Sequence, residues 1–218
     1  MMFPHAAIYK IDGLLESNRR QNLCSTARNM KGQKMKTVQQ TPDDVLTFWF
    51  EEITPQQWWT RSDVLDRQIE SRFGALHVAA EHCELYAWRE SAKGRLAEII
   101  ILDQFSRNIY RDHPKAFACD NLALALAQTA VQFNADHELN AMQRAFLYMP
   151  YMHSESLPIH TLAVSLFSQP GMEGNLEFEL RHKAIIERFG RYPHRNKILG
   201  RVSTEDEIEF LKTPQSSF

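Results

Sequence analysis

The residues best suited to chemistry lie on one predicted helix, between Leu96 and Arg111. This helix is apolar almost all the way round, and at about 100° per residue its polar side chains fall in one sector. The sector contains Asp103, Gln104, Arg107, Asn108 and Arg111. Because the flanking residues are apolar, these polar groups should be buried or should line a cleft, where each one needs a partner.

Two interpretations of this polar sector are open. Asp103, Arg107 and Arg111 follow one another at i,i+4 spacing, so the sector could satisfy much of itself along one helix as a structural network. Two arginines against one carboxylate, however, leave positive charge that another acid or an anion must neutralise. The second interpretation is a ligand site.

A second group of basic residues follows a helix predicted over 175–189, which Gly190 should end as a C-cap. Between Arg188 and Arg201 there are five Lys/Arg and no acid. The candidates for binding in this run are Arg191, Arg195, Asn196 and Arg201. The predicted last helix, opened by a capping box of Thr204 and Glu207, is acidic and could pair with these arginines. The alternatives are a phosphate or carboxylate site and, last, a nucleic-acid surface, because the rest of the chain is net negative.

Histidines supply candidates for proton transfer. His182 lies on an apolar face with Phe178 and Ile185, where a hydrogen-bonded core role competes with a functional one, and His194 lies in the basic run. His153, Ser154 and Glu155 are adjacent, so their side chains diverge and cannot form a triad with one another. They either cap a helix start or face the polar helix, where His153 and Glu155 would supply a base and an acid.

Composition limits the class of protein. With 218 residues, 44% of them hydrophobic, the chain should bury the core of one domain. No apolar run approaches the ~20 residues that span a bilayer, so a soluble protein is expected. Three widely spaced cysteines predict reduced thiols and a cytoplasmic location. No set of metal ligands can be assembled, and no cofactor is indicated.

The chain divides unevenly in charge. Residues 1–40 carry seven Lys/Arg against two acids and have no periodic apolar face, which predicts a poorly ordered basic extension or an upstream start-site error. Residues 41–213 are predicted to form the helical domain, and residues 214–218 a flexible tail.

From Thr41 onward the sequence predicts helices and essentially no sheet. After a capped start at Thr41-Pro42, seven more helices are expected over about 62–83, 93–111, 114–133, 137–149, 156–168, 175–189 and 204–212. In the helix over 62–83, the inward residues should be Val64, Leu65, Ile69, Phe73 and Leu76. About eight helices joined by short loops favour antiparallel hairpins of the kind found in bundles and helical repeats.

Three segments resemble one known family. They are Asp103 to Asn108 (DQFSRN), Pro150 to Glu155 (PYMHSE), and Phe189 to Asn196 (FGRYPHRN) with the following LGR-x-ST. In this order they are similar to the bacterial family called domain of unknown function nine hundred and twenty-four, over about Pro42 to Leu211. The resemblance implies a tetratricopeptide-like, right-handed helical stack and brings no established activity. The first forty residues have no counterpart in that family, and the stretch from Ser156 to His160 departs from its usual acidic or polar pattern.

The leading functional hypothesis is a pocket between helices that holds an anionic small molecule, with acid/base hydrolase or transferase chemistry. Its predicted proton-transfer or orienting residues are Asp103, His153, Glu155, His182 and His194; its predicted ligand-binding residues are Gln104, Arg107, Asn108, Arg111, Ser154, Arg191, Arg195, Asn196 and Arg201. The alternative is a non-enzymatic helical module that binds a protein partner, with a purely structural polar cluster. The sequence leaves the ligand and the oligomeric state open.

Overall fold

The structure, a computed structural model, describes residues 40–214 and Ser216. These residues form helices and turns, with no strand among them, so the all-helical prediction is confirmed. Nine helices follow one another in this part of the chain: α1 Pro42–Thr47, α2 Pro55–Trp59, α3 Asp63–Glu81, α4 Ala92–Ile100 with its continuation to Ile109, α5 Asp120–Gln132, α6 Ala141–Met152, α7 Leu157–Phe167, α8 Glu173–Phe189 and α9 Glu205–Phe210. The predicted extension over residues 1–40 falls, except for Gln40, outside the described residues.

The predicted helix starts are well supported by local capping. The side chain of Thr41 accepts a hydrogen bond from the Asp44 N–H, and the Asp44 carboxylate accepts one from the Thr41 N–H in return. Thr204 and Glu207 form the same reciprocal box at the start of α9. Helix α2 is additional to the eight predicted ones, although Thr54 and Gln57 at its start carry a capping-box pattern too.

Several predicted helix boundaries were wrong, most clearly at two prolines. Pro114 does not open α5; it opens a short 3₁₀ turn over Pro114–Phe117, and α5 begins at Asp120. Helix α6 was predicted to end before Pro150, but it continues to Met152. A proline inside a helix removes its own N–H from the helical ladder and crowds the carbonyl four residues earlier, but here the ladder resumes after it, since the His153 N–H donates to the Met149 carbonyl at 2.9 Å.

Helix α4 contains a wider π-helical turn over Ile101–Phe105 before α-helical geometry returns at Ser106–Ile109. π turns of this kind occur as single insertions in α-helices, frequently at functional sites. Asp103 and Gln104 lie in the turn. Arg111 lies beyond the end of the helix.

Helix α4 is the centre of the packing. It contacts α1, α3, α5 and α6, while α6 packs on α7 and α7 on α8. Its side chains from Leu96 to Phe105 are almost completely buried, as was predicted from the apolar residues on nearly every side of this helix. The ring of Phe105 packs against Trp49 and Phe73, with centroid distances of 5.6 and 5.0 Å. The polar sector of α4 is therefore surrounded by other helices, whereas the tetratricopeptide-like handedness stays a prediction.

Two residues predicted to face inward are exposed. Val64 is 69% exposed, because the buried face of α3 is centred on Leu65 and Ile69, about 100° away from it. Phe178 is 50% exposed and is covered by the guanidinium of Arg181, 5.5 Å from its ring centroid.

One glycine is required by close packing. A Cβ on Gly94 would lie 1.9 Å from the Trp88 carbonyl oxygen, so only glycine lets the first turn of α4 approach the 3₁₀ turn over Tyr86–Glu90 that precedes it. Gly190 ends α8 with φ of 67°, as its predicted C-cap role requires. Among the described residues, no helix is long and apolar enough to cross a membrane.

Candidate functional site

Asp103 and His153 form the centre of the site. The π turn of α4 directs the Asp103 carboxylate towards the end of α6, where its Oδ1 lies 2.7 Å from His153 Nδ1. Asp103 is fully buried, and the His153 side chain is 16% exposed. Gln104 Nε2 donates to the other carboxylate oxygen at 2.5 Å.

The charges around this pair define its protonation. Burial alone would raise the pKa of the Asp103 carboxyl, but Arg107, His153 and Gln104 together hold that pKa well below its usual range. An ionised carboxylate can only accept, so His153 Nδ1 carries the hydrogen and Nε2 is the basic nitrogen of the neutral ring. Burial keeps the pKa of His153 below its ordinary value despite the adjacent carboxylate. The imidazole is therefore neutral at pH 7.

Arg107 connects this pair to a second carboxylate. Its Nη1 lies 3.1 Å from Asp103 Oδ1, and its two terminal nitrogens donate to both oxygens of Asp120, at 3.0 and 3.1 Å. Asp120, in the first turn of α5, also accepts a 3.3 Å hydrogen bond from Arg195. One carboxylate thus lies between two guanidinium groups.

Arg195 is less completely satisfied than Arg107. It is 7% exposed, and its Nε has no hydrogen-bond partner among the described residues. Its guanidinium stacks over the rings of Phe117 and Tyr192, at 4.8 and 4.5 Å. Burial, together with the nearby charge of Arg107, lowers the pKa of Arg195.

A cleft of about 240 Å³ opens beside these residues. His153, Ser154 and Glu155 form one side of it, and Arg195 with Leu199 another. The remaining lining comes from the start of α5 and the turn before it, with Pro150 of α6: Pro114, Phe117, Ala118, Asp120, Asn121, Leu124 and Pro150. Polar groups that could bind a ligand are therefore combined with an apolar wall.

Glu155 anchors the C-terminal segment to this site. Its carboxylate accepts hydrogen bonds from both terminal nitrogens of Arg201, at 2.6 and 2.9 Å, and from the Tyr192 N–H at 2.7 Å. Burial would raise the pKa of Glu155, but Arg201 and the Tyr192 N–H hold it below its usual range. Glu155 is therefore ionised and holds the C-terminal segment in place, and an ionised carboxylate has no proton to donate, which argues against its predicted role as an acid. The hydroxyl of the adjacent Ser154 makes no hydrogen bond to the described residues.

The polar sector of α4 divides between two places. Asp103 and Asn108 lie about 140° apart around an ideal helix axis, so the two edges of the sector face different neighbours. Asn108 donates to Asp66 of α3 at 2.8 Å, and Arg111 binds the same carboxylate at 2.5 and 2.8 Å. Neither residue lines the cleft.

The predicted C-terminal residues divide in the same way. Arg191 forms a bidentate pair with Glu207, and Asn196 donates to Ser203 and Glu207, so both hold α9 in place. Arg191 is the first cause of the low pKa of Glu207, about 2. As predicted, the acidic last helix pairs with the basic run at this position.

The remaining candidate histidines lie beside Tyr192, with His182 buried and His194 partly buried. His182 donates from Nδ1 to the Phe178 carbonyl at 2.8 Å, and burial lowers its pKa to about 3. Burial, with Arg195 nearby, lowers the pKa of His194 to about 4. Neither residue lines the cleft. A core role explains the neutral rings of both.

Four functional-site neighbours were missed by the sequence reasoning. Asp66 and Asp120 are the acids that the arginine excess required, but the sequence could not show which of its acids they were. Asn121 lines the cleft, and His160 supports the His153 turn from behind. Within residues 40–214 no cluster of three His, Cys, Asp or Glu side chains is arranged to hold a metal ion.

Comparisons with known proteins identify a family and no activity. The profile described as "Bacterial protein of unknown function" (DUF924) matches residues 45–215. A solved structure of a protein of unknown function from Agrobacterium tumefaciens is 35% identical, with a TM-score of 0.75, and the match covers 78% of this chain and 96% of that one. No protein with a curated description matches. The chain therefore belongs to this family of bacterial proteins of unknown function, as its three motifs indicated.

Proposed function

We propose that this protein binds a small anionic molecule in the cleft and that His153 acts on it, or on a water beside it, as a general base. The observation that carries the proposal is the pairing of His153 Nδ1 with the buried Asp103 carboxylate while the same ring lines the cleft. This pairing orients the ring and leaves Nε2 basic, which is the arrangement that acid/base catalysis requires. No described residue hydrogen-bonds Nε2.

The cationic side of the cleft supports an anionic ligand. Arg195 lines it, and Arg107 lies directly behind through the shared Asp120. Guanidinium groups suit carboxylate and phosphate oxygens, and in a poorly hydrated site they stabilise negative charge that develops during hydrolysis or transfer. Asp103 and Asp120 already balance the charge of these two arginines, so the group that Arg195 offers a ligand is its Nε–H, which no described residue accepts, and this single donor suits a ligand with one anionic group.

The size of the cleft restricts the ligand further. A volume of about 240 Å³ corresponds to roughly eight water molecules at ~30 Å³ each, and it lies below the ~300 Å³ lower end typical of drug-sized ligand sites. The substrate class is therefore a compact metabolite with one carboxylate or phosphate and a short apolar part that contacts Phe117 and Leu124.

A thermal-shift screen tests binding directly. The probes are inorganic phosphate, short monocarboxylates, dicarboxylates and sugar phosphates, and a ligand at 100 times its Kd should stabilise the fold by about 2.7 kcal/mol. Arg195→Met should remove the shift, whereas Arg61→Met should keep it, because Arg61 is paired with Asp112 on the surface.

Catalysis is tested separately with p-nitrophenyl acetate and p-nitrophenyl phosphate. Any hydrolysis by the wild type should rise with pH through the lowered pKa of His153 and then level off. His153→Gln should abolish it, and Asp103→Asn should reduce it by about 10²–10⁴-fold, because the ring loses its orienting carboxylate.

A second candidate function is a helical module that binds a protein partner, with the polar cluster serving only to hold helices in register. Its support is the pairing of Arg107, Arg191 and Arg201, each of which binds a carboxylate through two nitrogens. No stabilising anion across the panel, no hydrolysis, and capture of a defined protein partner would together favour this second function.

A further inference from the structure

His160 and Glu179 form a buried pair behind the site that the proposed chemistry does not use. His160 lies on α7 and Glu179 on α8, and His160 Nδ1 is 2.7 Å from Glu179 Oε1. Both side chains are completely inaccessible to solvent. Glu179 Oε2 has no partner among the described residues.

The other nitrogen of His160 reaches the turn that carries His153. His160 Nε2 is 2.8 Å from the Ser154 carbonyl oxygen and 3.2 Å from the hydroxyl of Tyr192. Because a carbonyl oxygen can only accept, Nε2 must carry a hydrogen. The proton between Nδ1 and Glu179 is then shared within the buried pair, and Glu179 holds His160 in the form that donates to the turn.

Tyr192 completes the support of this turn. Its hydroxyl donates to the Met152 carbonyl at 2.6 Å. The peptide carbonyls of Met152 and Ser154 are therefore both held, one on each side of His153. Through these two contacts the turn presents the His153 ring to Asp103 and to the cleft.

The buried pair is a poor source of stability by itself. Removing two polar groups from water costs several kcal/mol, and an apolar pair of similar volume often serves at least as well. The unpartnered Oε2 of Glu179 adds to that cost. A role in fixing the turn accounts for a pair that stability alone does not explain.

We propose that His160 and Glu179 are positioning residues for His153: Glu179 orients His160, and His160 holds the Ser154 carbonyl so that His153 meets Asp103. The inference rests on the proposed function for its catalytic meaning, but its geometry can be tested without any ligand. A merely structural pair would join α7 to α8 and would leave the state of His153 unchanged.

The test is NMR of the full chain with ¹³C,¹⁵N-labelled histidine, with the His153 signals assigned by His153→Gln. In the wild type the Nδ1–H of His153, bound to Asp103, should give a downfield signal, and the ring should titrate below the ordinary histidine value. The groups that face this ring and enter its titration are Asp103, Arg107, Asp120, His182 and His194. The signals of His137, which is 68% exposed, serve as an internal reference.

Four variants separate positioning from packing. His160→Leu and His160→Asn should remove the downfield signal and move the pKa of His153 towards about 6.5, because neither side chain can donate to Ser154 from the same place. His160→Gln retains an N–H donor of similar reach and should restore both features. Phe167→Leu, at another fully buried position of α7, should lower the unfolding midpoint without changing His153.

A folded His160→Asn or His160→Leu variant with wild-type His153 signals would overturn the inference, as would an equal effect of Phe167→Leu. The proposed function is judged on different results. If no anion binds and no ester is cleaved while the His160 variants still alter His153, the positioning role stands and the function assigned to the cleft is wrong.

Discussion

Replacement of Arg107 by alanine is the perturbation that best tests the polar core. Arg107 neutralises the fully buried Asp103 and forms a bidentate pair with Asp120. Without it, Asp103 keeps its contacts with neutral His153 and Gln104 but loses its cation. Leaving a buried charge unpaired costs about 3–5 kcal/mol, so the free energy of unfolding should fall by that amount.

Urea denaturation at pH 7, followed by circular dichroism and tryptophan fluorescence, measures the loss. With a slope of about 2 kcal/mol per molar urea, the midpoint should fall by about 1.5–2.5 M. Arg61→Ala is the matched control, since Arg61 and Asp112 are 63% and 61% exposed and their pair should be worth under about 1 kcal/mol.

The double variant Asp103→Asn, Arg107→Ala identifies the cause of the loss. It removes the stranded carboxylate, so the two single effects should be non-additive by about 2 kcal/mol. A loss below 1 kcal/mol for Arg107→Ala, or simple additivity in the double variant, would refute the view that Arg107 neutralises a buried charge.

Three further predictions concern other parts of the domain. The pKa of His182 is about 3 in the fold and about 6.5 in the unfolded chain, so the unfolded state takes up a proton first as the pH falls. The free energy of unfolding should therefore drop by about 2 kcal/mol between pH 7 and pH 5 through this group. Urea titrations of His182→Gln at the two pH values should show a drop that is smaller by this amount. Gly94→Ala should lower the melting temperature strongly, because the added Cβ would lie 1.9 Å from a carbonyl oxygen. Gly174→Ala should be neutral or slightly stabilising, because a Cβ added there would have no atom within 4 Å. Equal effects of the two substitutions in differential scanning calorimetry would contradict the packing argument. Arg89→Ala should cost about 3–5 kcal/mol in urea unfolding, since it leaves the fully buried Glu98 carboxylate unpaired, and Arg89→Ala combined with Glu98→Leu should recover most of that loss.

Much of the helical architecture follows from local sequence. The capping residues Thr41 and Thr204 and the terminal Gly190 act through neighbours within a few residues, so their roles could be predicted without tertiary contacts. The apolar surroundings of the polar residues on α4 likewise predicted its central position, because only a helix covered on all sides is apolar nearly all the way round.

The sequence also determined that the arginines needed acids, but it did not determine which ones. Charge balance is a local requirement, whereas Asp66 and Asp120 reach Arg111 and Arg107 only through the packing of α3 and α5 on α4. Periodicity could not predict the π turn, because a wide turn is stabilised by the contacts around it and not by the spacing of apolar residues.

The candidate site depends on the tertiary structure most of all. The motif residues Asp103, His153 and Arg195 were recognisable by type in the sequence; in the structure His153 and Arg195 line one cleft, and the buried Asp103 pairs with His153 behind it. Asn108, Arg111 and Arg191, although as prominent in the sequence, bind carboxylates elsewhere. Residue type and spacing determine which groups can do chemistry and which helix face they share; only long-range packing decides which of these groups meet, because the partners come from helices far apart in the chain.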